Sequence, residues 1–370
     1  MKTNSFSAGR VCDVGRERAF FISANGYDGF RTWHDDLYRS EEFERVFVIL
    51  GGPGTGKSSL MRKVAEAGEA VGAECEYIYC SSDPQSLDGI LLTKGVHKIA
   101  MLDGTAPHER GAPVPGAIDE FVHLGECWSA KILTQRRQEI LQKKQENALC
   151  YQQARRYLTL AGAAAKALDS ELDIIMDQTK LQDVVARELR SIRKTPSPYE
   201  KQRYISACGM NGVVRFNTLA QENEVVCVSD ECGGAHRYLN EMRRQLCDAG
   251  CYGFWSFPSC FDDKKIEGVY LPQNKRLYLT NQIAAEGKKI NIKRFVIPQK
   301  EVKERIHIRR FLRVREEMIR MACQSLAEAG ARHFELEEIY GTAMDFTKKE
   351  KMTYSLCNRI RAILCAPSRD

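Results

Sequence analysis

The hydrophobic pattern of the chain changes period within residues 46–72. Residues 46–50 read VFVIL, a continuous apolar run of the kind found in a strand buried on both faces of a sheet. From residue 57 the apolar positions recur at helical spacing, and they form one face: Leu60, Met61, Val64 and Ala67. Gly72 then supplies a stop signal. The pattern predicts a buried strand, a short loop and an amphipathic helix.

A longer stretch, residues 128–193, also has a helical period. It contains no proline and little glycine, and its leucines, isoleucines and valines recur mostly at helical intervals among Gln, Lys, Arg and Glu. Because the stretch is too long for one ordinary helix, we expect a helical hairpin or a small bundle, with a break at Gly162 or at Asp169.

The loop between the predicted strand and helix fits the phosphate-binding pattern G-x-x-x-x-G-K-[ST]. Glycines adopt positive φ and carry no Cβ, so successive backbone N–H groups can surround an anion. Lys57 adds a positive charge for the β- and γ-phosphates, and the Ser58 hydroxyl is placed to bind Mg²⁺. The residues predicted to bind ATP are Gly51, Gly52, Pro53, Gly54, Thr55, Gly56, Lys57, Ser58 and Ser59.

A second apolar run ends in an acidic residue. Residues 97–104 read HKIAMLDG, so that Asp103 follows a predicted strand. Magnesium-nucleotide sites usually include an aspartate at the end of a neighbouring strand, and we therefore predict that Asp103 and Ser58 hold Mg²⁺. Glycine rather than glutamate follows Asp103, so a residue that activates water has to lie elsewhere.

The segment 105–126 contains residues that could orient this water. Its prolines and glycines at 107–116 indicate a loop that closes over the nucleotide. With Lys57 and Asp103, the predicted catalytic residues are His108, Asp119 and Glu120. Glu126 and Asp83 are further candidates, and Asp83 lies where small-molecule kinases often bind a phosphate acceptor.

The chain contains an internal repeat. FFISANGYDGF at 20–30 recurs as RYISACGMNGV at 203–213, and VFVILGGPGTGKSS aligns with EVVCVSDECGGAHR at a constant offset. In the second copy Ala235 replaces Lys57 and His236 replaces Ser58. Asn281 falls on Asp103, and Asp230 and Glu231 lie where polyphosphate would bind. We expect the second copy to keep the fold and to have lost magnesium-nucleotide binding.

In these features the sequence resembles a group of bacterial tandem P-loop ATP-binding proteins. The resemblance covers nearly the whole chain and is carried by GGPGTGKSS, DGTAPH, PGAIDEF, LGECW and the two FISA/YISA repeats. It implies an α/β fold with two P-loop NTPase-like modules, each with parallel sheets and a helical appendage. The second module of that group often keeps a GKS-type loop, and this sequence departs from the group there.

The predicted organisation has four segments. They are a P-loop module over 1–127, a helical insertion over 128–195, a degenerate repeat over 196–298 and a C-terminal helical segment over 299–370. TPSP at 195–198 marks the linker between the copies.

Composition and net charge narrow the range of functions that the sequence allows. The chain has 370 residues, 28% of them charged, and a net charge of +6, which is too weak to indicate nucleic acid. The sequence shows neither a signal peptide nor a membrane-spanning stretch, so we expect a cytoplasmic protein. Its 14 cysteines include no CxxC pair and are expected to be reduced thiols.

The sequence as a whole predicts a slow Mg-ATPase that couples its nucleotide state to rearrangement of helices or of a protein partner. Two alternatives remain: a small-molecule or nucleotide kinase, and an ATP-gated interaction module that does not hydrolyse ATP. A nucleic-acid-dependent ATPase is less favoured, and stimulation by DNA or RNA would indicate it.

Overall fold

The computed structural model of the protein describes residues 10–12, 18–105, 113–192, 200–251, 253–284 and 287–367. The chain forms two compact units. The first unit comprises residues 17–23, 32–152 and 325–370, and the second comprises residues 1–16, 24–31 and 153–324. Among the described residues, none of the helices is both long enough and apolar enough to cross a membrane.

The first unit is built on a six-stranded sheet. In spatial order its strands are Arg18–Phe21, Glu74–Tyr79, Leu87–Lys94, His97–Asp103, Arg45–Leu50 and Asp119–His123. Strand Arg45–Leu50 lies next to the edge strand Asp119–His123, is parallel to both of its neighbours, and its interior residues are fully buried. The predicted apolar strand at 46–50 therefore lies in the core of this sheet.

The helices of the first unit lie within its two longer ranges, 32–152 and 325–370. The α-helices confined to it are His34–Leu37, Lys57–Glu69, Ala130–Gln135 and Phe346–Leu364, and the 3₁₀ helices are Ser40–Glu42 and Leu124–Cys127. Helix Lys57–Glu69 buries Leu60, Met61, Val64 and Ala67, which are the residues of the predicted apolar face.

The second unit repeats this topology. The strands of its six-stranded sheet, in spatial order, are Lys201–Gln202, Trp255–Pro258, Ile266–Leu271, Arg276–Thr280, Glu224–Ser229 and Lys288–Asn291. A separate three-stranded sheet contains Arg10–Cys12, Gly212–Phe216 and Ser206–Gly209. The remaining strands, Ser23–Gly26 and Gly29–Thr32, pair with each other. The two six-stranded sheets have matching strand orders, as the internal repeat predicts.

The helices of the second unit include Gln178–Leu189 and Ala235–Asp248, with 3₁₀ helices Ala220–Glu222, Pro272–Asn274 and Ile292–Phe295. Two long helices contain residues of both units. Helix Arg137–Ile175 belongs to the first unit up to residue 152, and helix Pro298–Gly341 belongs to it from residue 325.

The expectation of parallel sheets is wrong for both units, because the sheets are mixed. Strand Leu87–Lys94 is antiparallel to both of its neighbours. It joins strand His97–Asp103 through Gly95 and Val96, and Gly95 has a φ of 59°. Two consecutive parallel strands need a connection of a dozen residues or more. The two-residue connection here therefore makes these strands an antiparallel hairpin.

The helical segments divide between the units differently from the predicted appendages. Helical residues 153–189 contribute apolar side chains to the core of the second unit, among them Leu168, Leu172, Ile175, Leu181 and Val185. The C-terminal residues 325–367 belong instead to the first unit. The segments 128–195 and 299–370, each expected to serve one module, are therefore each split between the two units.

The predicted helical break lies elsewhere. Helix Arg137–Ile175 continues through Gly162 and Asp169, and the turn falls at Met176 and Asp177, where Asp177 caps the next helix. Gly162 has a packing role, because a Cβ there would lie 2.7 Å from Cβ of Tyr27. The glycine thus permits a close contact inside the second unit and does not end the helix.

A buried histidine gives the first unit a pH-dependent contact. His97 Nδ1 lies 2.7 Å from Glu44 Oε2, and Nε2 lies 2.9 Å from the carbonyl oxygen of Ala366. Both partners are acceptors, so the imidazole satisfies both only when it is doubly protonated. The hydrogen bond to Glu44 raises the pKa of His97 above its ordinary value.

We expect this contact to stabilise the protein at low pH. Because the folded-state pKa is raised, the stabilisation is fully present below about pH 6.5 and is lost as the pH rises through the folded-state value. His97→Gln should therefore lower the melting temperature at pH 6 by more than at pH 9. Thermal unfolding of wild type and variant at both pH values checks this, and an equal loss at both would contradict it.

Candidate functional site

The glycine-rich loop of the first unit connects strand Arg45–Leu50 to helix Lys57–Glu69, as the sequence predicts. Gly54 and Gly56 have φ angles of 68° and 82°, in the left-handed region that favours glycine. The helix therefore begins at Lys57, directly after a loop whose turns depend on glycine. Its N-terminal end carries the partial positive charge that favours an anion.

Lys57 folds back over this loop. Its Nζ donates to the carbonyl oxygens of Gly51 at 3.0 Å and Gly52 at 2.9 Å. It also lies 3.5 Å from Oδ2 of Asp103, and both side chains are largely buried. The ammonium group of Lys57 and the carboxylate of Asp103, which the sequence predicted from two distant segments, are therefore in contact.

Asp103 owes this position to the sheet register. It pairs with Ile49 across two parallel strands, so that it lies at the same sheet edge as the loop. Its carboxylate accepts hydrogen bonds from the backbone N–H and the hydroxyl of Thr105. Burial raises the pKa of Asp103, the charge of Lys57 acts in the opposite direction, and Asp88 adds to the increase. Asp88 is itself buried, so a second carboxylate lies in the region of Asp103.

The loop hydroxyls have partners of their own. Ser58 Oγ accepts from the backbone N–H of Leu87 at 3.0 Å. The buried Thr55 donates to the carbonyl oxygen of Gly52 at 2.8 Å, which holds the loop closed. Ser59 Oγ donates to the carbonyl oxygen of Gly56 and accepts from Lys349 Nζ at 2.7 Å. Ser58 therefore lies between the loop and strand Leu87–Lys94, which carries Asp88.

Asp119 and Glu120 do not reach the loop. They pair with Val46 and Phe47, near the start of strand Arg45–Leu50, whereas the loop follows the end of that strand. At about 3.3 Å per residue, this places them roughly 10 Å or more from the loop along the strand. Their predicted role in orienting water is therefore not supported by this geometry.

Both carboxylates are also engaged. Asp119 is buried and accepts from the Ser40 hydroxyl at 3.1 and 3.2 Å and from the Val114 N–H at 2.7 Å. Glu120 forms two hydrogen bonds with Arg359, at 2.7 and 2.6 Å, and this contact lowers the pKa of Glu120. These contacts give both residues a structural role. His108, the third predicted candidate, lies outside the described residues.

Sequence reasoning missed three residues that contact the loop from the C-terminal helices. Glu337 Oε1 accepts from the Gly54 N–H at 3.3 Å, and a Cβ at Gly54 would lie 2.4 Å from the Glu337 carbonyl oxygen. Tyr340 packs against Gly52 in the same way, 2.7 Å from its Cβ position. Lys349 is buried, and its Nζ lies 3.1 Å from the Cβ position of Gly56. No local motif marks these residues, because only the fold brings them to a loop nearly 300 residues earlier.

Glu337 is held as a carboxylate. The interaction with His333 lowers its pKa most, burial opposes this, and the Gly54 N–H and the charge of Lys57 lower it further. A negatively charged oxygen thus already occupies one of the backbone donors that the loop would offer to phosphate.

Asp83 lies between strands Glu74–Tyr79 and Leu87–Lys94 and caps its own turn, accepting from the Gln85 N–H at 3.1 Å. Burial raises the pKa of Asp83, and the charge of Glu337 adds to the effect. Asp83 therefore faces the same region as Glu337, although its hydrogen bond is that of an ordinary turn residue.

The equivalent loop of the second unit is closed by its own side chain. Asp230 Oδ1 accepts from the N–H of Ala235, the first residue of helix Ala235–Asp248, at 2.9 Å. The Asp230 N–H donates to Asn281 Oδ1 at 3.0 Å. His236 lies 3.5 Å from Asp169, and burial holds its pKa well below the ordinary value. A carboxylate of the chain itself takes the place at the helix N-terminus that a phosphate would require.

Comparisons with protein-family models, with curated proteins and with solved structures gave no match to this chain. The features of this chain that indicate a function are the geometry of the loop, the contact of Lys57 with Asp103, and the side chains that cover them.

Proposed function

We propose that the first unit binds Mg-ATP at residues 51–59 and hydrolyses it slowly. The observation that carries this proposal is the convergence of Lys57 and Asp103, 3.5 Å apart, on a glycine loop between a buried strand and a helix N-terminus. The sequence of the loop selects a phosphate, since its glycines free successive N–H groups and its lysine supplies charge.

Each residue has a distinct role in this proposal. The N–H groups of the loop bind the β-phosphate, and Lys57 exchanges its carbonyl contacts for the β- and γ-phosphates. Ser58 and Asp103 fit Mg²⁺, because a hydroxyl and a carboxylate are hard oxygen ligands, and the ion would neutralise charge on the phosphates. Lys349, buried beside Gly56, supplies a second ammonium group at this loop. Catalysis then depends on positioning and electrostatic stabilisation.

Glu337 gives the nucleotide a means of moving a helix. Its carboxylate accepts the Gly54 N–H that a phosphate would need, and two anions cannot share this donor. Phosphate binding must therefore displace Glu337, which belongs to helix Pro298–Gly341. This competition is the physical basis for coupling nucleotide state to helix rearrangement within the first unit.

Glu337→Gln is expected to tighten ATP binding by about tenfold, since it removes a negative charge that competes for the loop. Isothermal titration of both proteins with Mg-ATP measures the effect. Glu338→Gln is the matched control, because it makes the same change at the neighbouring exposed position and should leave affinity unchanged. Equal or weaker binding by Glu337→Gln would show that the carboxylate does not compete with phosphate.

An ATP-gated module that does not hydrolyse ATP is the second candidate. It is favoured by the engagement of Asp119 and Glu120 in structural contacts, which leaves neither to orient water. Phosphate release by wild type and by Lys57→Ala distinguishes the two. Release above the variant supports hydrolysis, whereas tight binding with equal background release supports gating alone.

A further inference from the structure

The second unit contains a chemically distinctive pair of cysteines that the ATP site does not use. Sγ of Cys208 lies 3.5 Å from Sγ of Cys323. Cys208 is fully buried in strand Ser206–Gly209, whereas Cys323 is half-buried on helix Pro298–Gly341. Both cysteines are free thiols. A disulfide has an S–S length of about 2.05 Å, so a closing movement of about 1.5 Å would join them.

A cavity leads to one member of this pair. It has a volume of about 410 Å³ and is lined by Cys323, Arg215, Arg315 and Tyr27, among others. Since a water molecule occupies about 30 Å³ of liquid, this space admits a small solute together with water. A reagent in the cavity thus reaches Cys323, while Cys208 lies behind it in the core.

Arg215 gives the pair a positive neighbour. Its side chain is almost fully buried and lines the cavity, and Nη2 donates to Gln282 at 2.9 Å. Within the part of the chain that the structure describes, its Nε and Nη1 have no hydrogen-bond partner. A buried guanidinium with unused donors favours a negative charge beside it, and a thiolate at Cys323 supplies one.

The two thiols are unequal. The hydrogen bond with Cys208 lowers the pKa of Cys323 most, burial opposes this, and the charge of Arg215 lowers it further. The same hydrogen bond, followed by burial, raises the pKa of Cys208 well above its ordinary value. Cys323 therefore ionises first, with the thiol of Cys208 donating to it.

We propose that Cys208 and Cys323 are a hydroperoxide-reactive pair, in which Cys323 is oxidised first and Cys208 then closes a disulfide with it. In the first step the Cys323 thiolate attacks one oxygen of ROOH. An S–O bond forms, the O–O bond breaks, and RO⁻ leaves and takes a proton from water as ROH. The sulfur is oxidised to a sulfenic acid, and the hydroperoxide is reduced to an alcohol, or to water when R is hydrogen.

In the second step the sulfur of Cys208 attacks the sulfur of Cys323. The S–S bond forms, the S–O bond breaks, and hydroxide leaves with the proton of Cys208 as water. Strand Ser206–Gly209 lies at the edge of its three-stranded sheet and pairs within that sheet with strand Gly212–Phe216 alone, so the closing movement disturbs one strand pairing. This proposal does not depend on ATP binding by the first unit.

The test is oxidation of the reduced wild-type chain by hydrogen peroxide, followed by alkylation of the remaining thiols and peptide mapping without reductant. We expect a Cys208–Cys323 crosslink that forms before the exposed Cys365 is oxidised and that dithiothreitol reverses. Cys208→Ser should leave Cys323 as a sulfenic acid that dimedone traps, and Cys323→Ser should abolish the crosslink. Cys260→Ser, a change at a nearby buried thiol, should leave it intact.

The contribution of Arg215 is tested separately. Arg215→Gln should slow oxidation of Cys323 about tenfold, because a smaller fraction of Cys323 is then thiolate. Arg320→Gln is the matched control, since Arg320 lines the same cavity but pairs with Glu317 and should have no effect. Circular dichroism confirms that each variant is folded. A crosslink to another cysteine, or oxidation of Cys365 ahead of Cys323, would overturn the proposal.

Discussion

A Lys57→Ala chain is expected to bind Mg-ATP at least about 100-fold more weakly than the wild type. Charge-assisted hydrogen bonds are worth about 1.5–3 kcal/mol each, and Lys57 would make such bonds to two phosphates. A loss of about 2.7 kcal/mol corresponds to a factor of about 100 in Kd. Isothermal titration with ATP in the presence of Mg²⁺ measures this directly.

Lys63→Ala is the matched control for this prediction. Lys63 lies on the same helix, but it is exposed and pairs with Glu350 on the C-terminal helix Phe346–Leu364. Its loss should leave ATP affinity within about twofold, as is usual for a surface ion pair. If Lys57→Ala and Lys63→Ala weakened ATP binding equally, the loop would not be the binding site.

Asp103→Asn is expected to remove the contribution of magnesium to ATP binding. Asparagine keeps the shape of the side chain but removes the negative charge that favours Mg²⁺ over water ligands. In wild type, EDTA should weaken ATP binding by about tenfold or more. In the variant, binding with and without Mg²⁺ should be nearly equal, because only Ser58 remains of the proposed pair of ligands.

A parallel change at an exposed aspartate controls for the loss of charge itself. Asp28→Asn alters a side chain that is 85% exposed and lies in the second unit, and it should preserve the response to magnesium. If Asp103→Asn retained the full response, Asp103 would be only a buried partner of Lys57. Thermal unfolding of each variant shows whether the fold is kept.

The local parts of the site could be predicted from sequence because each is encoded within a short segment. The apolar run at 46–50, the glycines at 54 and 56 and the helical face at 60–67 specify strand, loop and helix independently of the rest of the chain. Asp103 could be placed because carboxyl ends of parallel strands share one sheet edge, and its pairing with Ile49 puts it there.

The predictions that the geometry does not support concern contacts that only the tertiary structure sets. Asp119 and Glu120 follow a glycine- and proline-rich segment, which suggested a loop closing over the nucleotide, yet they pair with the start of strand Arg45–Leu50. Position along the sequence does not reveal the register of pairing. Strand Leu87–Lys94 is buried over its first six residues, as a parallel strand would be, and its short turn at Gly95 is the feature that makes it antiparallel.

No local sequence pattern predicts which side chains cover the loop. Glu337 and Lys349 lie on helices whose apolar spacing predicts only that they are helices. Residues 325–367, which carry both side chains, belong to the first unit, whereas the repeat in the sequence suggests that this segment serves the second. The contacts of Glu337 with Gly54 and of Lys349 with Ser59 therefore emerged only from the structure.

The second unit shows why a repeated fold need not mean a repeated function. Its loop keeps a glycine, Gly234, at the position that aligns with Gly56, and its helix begins at the equivalent place. Asp230, however, accepts the N–H at the start of that helix, and Ala235 stands where the lysine would be. A phosphate at the loop of the second unit would lie beside the Asp230 carboxylate, and the loop would offer no ammonium group to balance its charge. The resulting repulsion opposes phosphate binding.

The stoichiometry of ATP binding shows whether the loop of the first unit is the one nucleotide site. Isothermal titration of the wild-type chain with ATP and Mg²⁺ should show a single nucleotide bound per chain, and Lys57→Ala should weaken that binding at least about 100-fold. Absence of binding by the wild type, or a stoichiometry of two that Lys57→Ala only halves, would contradict the account.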